Sequence, residues 1–192
     1  MPNSAPPRAI PSRRNRGPAA AADNRRALIT AAREVYAEGG LGAPFSAVAK
    51  RAGVGQGSLY RHFPDRISLA VAVFEDNVRD LEEYTASYDR TVDDLLDRVV
   101  DQAVVSTAFI ELITADMSDP RVAGLGQRFY GLVAGLVARD RAAGRIGKHI
   151  DTDDVTMATG MLATELARAD AAHRPAVAAR ARALFHAAFA PR

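Results

Sequence analysis

The sequence contains no cysteine, which excludes disulfides and thiolate metal sites but leaves the redox compartment open. Long apolar runs are missing too. The longest stretch without a charged residue is Gly39 to Ala49, far short of the about 18–20 apolar residues of a membrane helix. Strand signals are nearly absent, because alternating β-branched runs do not occur. No apolar leader opens the chain. It begins Met-Pro-Asn-Ser-Ala-Pro-Pro and continues into Arg13, Arg14 and Arg16, so residues 1–22 read as a disordered basic arm and the expected compartment is the cytoplasm. Catalytic signatures are also missing. His62, His149, His173 and His186 form no metal-ligand spacing, and there is no Ser/His/Asp or glycine-rich phosphate motif. Neither an enzyme nor a metal or cofactor is expected. His149 with Asp151, Asp153 and Asp154 reads as a loop before an acidic helix start.

What remains is 192 residues, 48% hydrophobic, enough for one ordinary core and a small satellite domain. The net charge of +2 conceals an asymmetry. Residues 1–70 carry eleven basic against four acidic side chains; residues 71–192 carry fourteen against nineteen. Residues 23–70 alone still hold a net +3, so the asymmetry is more than a charged tail. A basic module on an acidic body suits binding to a polyanion.

Apolar residues recur at three and four positions, so the chain is expected to be all-α with about nine helices. Asp23 or Asn24 would cap the first, which Gly39-Gly40 would end. Ser46 would cap a short second helix to Arg51. A third covers Gln56 to Phe63, and Pro64-Asp65 begins a long fourth. Thr91 with Asp94, Asp119-Pro120, Thr152 and Pro175 mark later starts. Gly131 and Gly135 suggest close helix packing.

Between Phe45 and Arg66 the residues fit two helices meeting steeply across a tight turn. Ala49 is small where they would touch, and Gly53 tolerates positive φ. Phe45, Val48, Val54, Leu59 and Phe63 can face inward. Gln56, Ser58, Arg61 and His62 then form an outward polar face with Tyr60 on its flank, a helix suited to the major groove. Lys50 and Arg51 would extend that face or be simply solvated.

Asn24 to Leu81 resembles the DNA-binding region of the tetracycline-repressor (TetR/AcrR) family. The agreement lies in Ala31-Ala32, Val35-Tyr36, Gly40, Ser46, Val48-Ala49, Ala52-Gly53-Val54, Gly57-Ser58-Leu59-Tyr60 and His62-Phe63. Residues 90–192 match only in helical layout. The resemblance implies a helix-turn-helix domain over 23–66 and a helical effector-binding and dimerising domain over 67–192. It implies phosphate contacts by Ser46, Tyr60 and His62, and by Arg66 where the family usually has lysine. Gly57 would let the backbone approach DNA. Gln56, Ser58 and Arg61 are candidates for base readout, with Lys50 beside them. Two departures stand out. Gly55 replaces the usual Ser or Thr cap at a cost of a few tenths of a kcal/mol, and Ala47 sits where some relatives read a base.

The acidic body suggests a homodimer and a pocket. Val155, Ala158, Met161, Leu162 and Leu166 on one helix, and Val177, Ala181, Leu184, Phe185 and Ala188 on the last, are candidates for the interface. High helix propensity alone would also give Ala-rich helices. Tyr84, Tyr88, Thr107, Glu111, Thr114, Phe129, Tyr130 and Met157 mix aromatic, hydroxyl and apolar character, as a small-molecule effector site would. An ordinary core would look the same. The expected partners are double-stranded palindromic DNA, a small-molecule effector and a second copy of the chain, with no membrane. The expected activity is that of a transcriptional regulator, a repressor released by its effector. A regulator without any ligand stands as the alternative.

Overall fold

The computed structural model describes residues 18–115 and 118–192, with side chains at all of these except 18, 41, 104–109 and 111–115. The described residues form eight α-helices and one 3₁₀ turn, an all-α fold as expected, against the about nine helices read from the periodicity. Helix α1 (Pro18–Gly39) begins before Asp23. The Ala19–Ala22 run has the highest helix propensity, and proline is tolerated at a first helical position. Gly40 takes φ +56° and turns the chain into the 3₁₀ turn Gly40–Gly42.

Helix α2 (Phe45–Arg51) follows Pro44, whose extended backbone serves as the N-cap. Ser46 therefore lies inside the first turn and does not cap it. Helix α3 (Gln56–His62) starts from Gly55 without a side-chain cap. Helix α4 (Arg66–Thr85) has a full capping box: Asp65 accepts from the Ser68 N–H at 2.6 Å, and the Ser68 hydroxyl accepts from the Asp65 N–H at 3.3 Å. In α5 (Val92–Ala115), the Asp94 carboxylate accepts from Thr91 N–H at 2.9 Å and the Thr91 hydroxyl from Asp94 N–H at 3.1 Å. Asp119 caps α6 (Pro120–Ala142), with proline in its first turn. Helix α7 (Thr152–Arg168) is capped by Asp151, which accepts from Asp154 N–H at 3.0 Å; Thr152 is already helical. Aspartate binds the orphan N–H groups at least as well as threonine and adds a charge favoured at that end. Helix α8 is Arg174–Phe189.

The N-terminal helices close around Leu28, Ala32, Val48, Leu59 and Phe63, all nearly fully buried. Each such side chain contributes about 1.5–3 kcal/mol by leaving water. Leu69, Ala70 and Val73 of α4 belong to this same core. The larger core joins α5, α6, α7 and α8 through Leu95, Leu96, Leu136, Leu162 and Leu166, with α5 against α7 the most extensive pairing. A small third cluster of Val71, Val78, Val122 and Leu125 seals α4 to α6. Gly131 and Gly135 contribute no close packing, since a Cβ at either would meet nothing within 4 Å.

One buried charge organises the far end of the body. Asp140, 1% exposed, accepts the Val92 N–H at 2.8 Å and the Arg145 Nε–H at 2.9 Å. It thereby caps the start of α5 from the end of α6. Asp140→Ala would leave an orphaned N–H and an unpaired, half-exposed guanidinium. The expected loss is about 1–3 kcal/mol, read as a lower urea midpoint with an unchanged slope. No change in midpoint would show that water replaces the carboxylate without penalty.

Candidate functional site

The geometry of α2 and α3 is set by the turn between them. Gly53 adopts φ +68°, and the Val54 N–H donates back to Ala49 O at 3.0 Å. Ala49, 1% exposed, sits where the two helices touch. Val48, Leu59 and Phe63 face inward, with Phe45 and Val54 packed at the edge of the same core. The opposite face of α3 is left to solvent. Gln56, Gly57, Tyr60 and Arg61 are exposed, and Ser58 and His62 are half-buried. Tyr60 is 51% exposed, its ring held edge-on by Phe45 at 5.5 Å and 76°. Ser46 is half-buried in the first turn of α2, and Lys50 is exposed at its end.

Charge pairing separates the cations that serve the fold from those that do not. Arg51 is held by Glu34 at 3.0 Å and Glu38 at 2.7 Å, and the Arg51 guanidinium keeps the Glu38 carboxyl below its usual range. Arg25 lies over the Phe63 ring at 5.4 Å and meets Glu75. Among the described residues no acid pairs with Lys50, Arg61 or His62. Arg51 is thus a brace to α1, while Lys50 and Arg61 offer open positive charge.

Arg66, expected to hold a phosphate, has partners within the protein. It is half-buried, donates to Ala43 O at 2.9 Å and stacks 5.8 Å over the Tyr36 ring. Burial raises the Tyr36 phenol, and the Arg66 charge only partly offsets this. The guanidinium therefore ties the start of α4 to the segment before α2, which competes with holding a phosphate.

Behind this unit, α4, α5, α6 and α7 line a partly open cavity of about 300 Å³. Among the described residues expected to bind an effector, only Phe129 lines it. Tyr84 instead lies under Arg90, 4.3 Å away, and its hydroxyl accepts from the same guanidinium at 3.2 Å. Tyr88 is 77% exposed beside Arg139. Tyr130 is 43% exposed, and its hydrogen bond with Asp153 raises its phenol. Met157 points outward, 62% exposed. These four do not line the cavity: Tyr84 is half-buried, and the other three face solvent. The side chains of Thr107, Glu111 and Thr114 lie outside the described residues, as do residues 1–17 of the basic arm. The wall is built by residues the sequence reading missed, among them Phe74, Asn77, Val99, Gln102, Thr156 and Thr159. On α7 a signal existed: Thr156, Thr159, Gly160 and Ala163 recur at helical spacing on a face of their own.

The interface candidates divide likewise. Val155, Ala158, Leu162 and Leu166 are buried in the protomer's own core and cannot touch a second copy. Val177, Ala181 and Phe185 are half-buried against that core, Phe185 stacked on Phe189 at 6.0 Å. Met161 (55%), Leu184 (58%) and Ala188 face solvent, with Met157 one turn from Met161. Among the described residues no helix is long and apolar enough to cross a membrane, and no cluster of three potential metal ligands occurs.

Residues 28–73 match the family model described as bacterial regulatory proteins, tetR family. The fold is similar to that of the TetR transcriptional regulator SCO0520 from Streptomyces coelicolor, at 26% identity and a TM-score of 0.64, covering 87% of this chain and 98% of that one. It is similar to the TetR transcription regulatory protein from Mycobacterium vanbaalenii, at 23% identity and a TM-score of 0.63, covering 90% and 98%. The TetR family protein CprB from S. coelicolor A3(2) shares 19% identity with a TM-score of 0.61, covering 90% and 91%. No curated protein sequence matches the chain.

The inward Arg66 gives a direct test. Arg66→Ala should cost about 1–2 kcal/mol of stability, from a lost hydrogen bond of about 0.5–1.5 and a cation–π contact of about 0.5–1. The salt dependence of DNA binding should not change. A slope of log K against log salt that falls by about 0.9 would place this guanidinium on a phosphate instead.

Proposed function

We propose that the chain is a regulatory protein of the tetR family, acting as a dimeric repressor released from its operator by a small molecule held between α4, α5, α6 and α7. The observation that carries the DNA-binding half is the outward face of α3. Its inner face is occupied by the core, while Gln56, Ser58 and Arg61 stand free to reach base edges beside the unpaired charge of Lys50. Tyr60 and His62 would hold phosphates on either side, with Ser46 at the start of α2. Arginine recognises guanine and glutamine recognises adenine by paired hydrogen bonds.

Dimerisation is supported by the outward apolar residues Met157, Met161 and Leu184, an uncovered patch on α7 and α8. A two-fold dimer would present two recognition helices about 34–36 Å apart or slightly more, so its DNA site would be palindromic. Release is supported by continuity between cavity and reading head. Phe74 packs against both cores and lines the cavity. Arg121, at the start of α6 and next to cavity-lining Val122, reaches Asp65 at the N-cap of α4 at 3.2 Å. The same guanidinium holds the Asp119 carboxyl at about 2. An effector that favours the DNA-incompetent arrangement must weaken DNA binding by the factor by which DNA weakens its own binding.

Selection of bound duplexes from a random pool tests the reading. A palindromic site is expected. Arg61→Ala should relax preference at one base position by about 1–3 kcal/mol, whereas Lys50→Ala and His62→Ala should weaken all sequences alike. Recovery of asymmetric sites bound by a monomer would refute the dimeric reading.

The patch makes a separate demand. Combining Met161→Glu with Leu184→Glu should yield folded monomer by sedimentation and lose cooperative operator binding. A dimer that survives both charges would place the interface elsewhere.

A further inference from the structure

Every hydrogen bond made within the cavity wall removes a proton that a bound molecule would otherwise meet. The Thr156 hydroxyl donates to Thr152 O at 2.7 Å. The Thr159 hydroxyl donates to Thr156 O at 2.8 Å, with Val155 O at 3.1 Å. A hydroxyl carries one proton, so both threonines present only lone pairs. Gln102 is in the same condition. Its Nε2 protons go to Asn77 O at 3.0 Å and Asp80 Oδ2 at 2.8 Å. The opposite amide orientation would set Oε1 against a carbonyl and a carboxylate. Asp80 is fixed in turn by Arg98, with Nε at 2.8 Å and Nη2 at 2.6 Å, so the amide cannot turn. Among the described residues Oε1 accepts no hydrogen bond.

Three of the four polar side chains on the wall are therefore acceptors without a spare proton. The rest of the described wall is aliphatic or aromatic, or glycine, and none of it is ionisable. Among the described residues a charged ligand would find no counter-charge to replace its lost hydration. At Thr156, Thr159 and Gln102 a ligand whose polar atoms only accept would face lone pairs and leave its own group unsatisfied, a penalty larger than the value of one hydrogen bond.

We propose that the cavity is selective for an uncharged, largely apolar molecule bearing a hydroxyl or N–H donor, received by Thr156, Thr159 and the Gln102 carbonyl. This rests on reading the cavity as the effector site. A volume of about 300 Å³ lies at the small end of ligand pockets, so a molecule of two fused rings suits it.

The test is calorimetry on the full chain with three probes of one shape: 2-naphthol, which donates; 2-methoxynaphthalene, which only accepts; and naphthalene, which does neither. 2-Naphthol should bind roughly 3–10-fold more tightly than either of the others, the worth of one neutral hydrogen bond. Thr156→Val and Thr159→Val, near-isosteric, should together reduce that preference, and adding Gln102→Met should abolish it. Gly160→Leu, where an added Cβ meets nothing within 4 Å, should fill the space and weaken all three probes. Equal binding of the three would overturn the donor proposal and leave the effector reading standing. A preference that survives all three polar replacements would also overturn it. Failure of every probe to bind would overturn both together.

Discussion

Leu69, Ala70 and Val73 close the core beneath the recognition helix, while Asn77, Val78 and Leu81 wall the cavity one to three turns later. All six lie on α4, and Phe74 between them packs against both groups. From Leu69 to Leu81 a helix rises about 18 Å without a joint. Interiors are packed too densely for one end of such a rod to move while the other stays in place. On the proposed reading, a change in what fills the cavity is accommodated by tilting α4, and the tilt carries α3 with it. The reach of the reading head and the occupancy of the body are, on that reading, one mechanical variable.

The polar contacts across this junction have a character suited to such movement. Arg121 with Asp65 and Arg98 with Asp80 are all roughly 37–49% exposed, so each pair contributes at most about 1 kcal/mol. Arg33 on α1 donates to Val73 O at 3.2 Å from a half-buried position, where desolvation lowers its pKa against the raising pull of Asp76 and Asp80. These contacts fix register without locking it. Asp140, buried and doubly bonded, holds the opposite end of the body, where α5 and α6 meet. Strong fastening lies away from the DNA-facing region and weak fastening lies beside it.

The DNA-reading unit was legible in the sequence because its determinants are local. Ala49, Gly53 and the inward set Val48, Leu59 and Phe63 are fixed by spacing within twenty residues. The caps at Asp119 and at Thr91 with Asp94 were legible for the same reason. Ser46 and Thr152 were misread as caps because a neighbour, Pro44 or Asp151, could end the helix as well, and only the backbone distinguishes them. The cavity was not legible. Helix α7 is apolar or small on three faces, so the helical spacing of Thr156, Thr159, Gly160 and Ala163 marks a face without telling core from pocket from exterior. Aromatic and hydroxyl character points equally to Tyr84, Tyr88 and Tyr130, yet Tyr84 is tied to Arg90 and Tyr130 to Asp153, and Tyr88 faces solvent. Arg121 reaches Asp65 across 56 residues, a pairing no local pattern can express.

Amide hydrogen exchange along α4, with and without the selected operator duplex, tests the shared-rod account most directly, because it requires no knowledge of the effector. DNA binding is expected to slow exchange beyond the recognition unit, through Asn77, Val78 and Leu81 and into the first turns of α6. Protection confined to α1, α2, α3 and the first turn of α4 would contradict it.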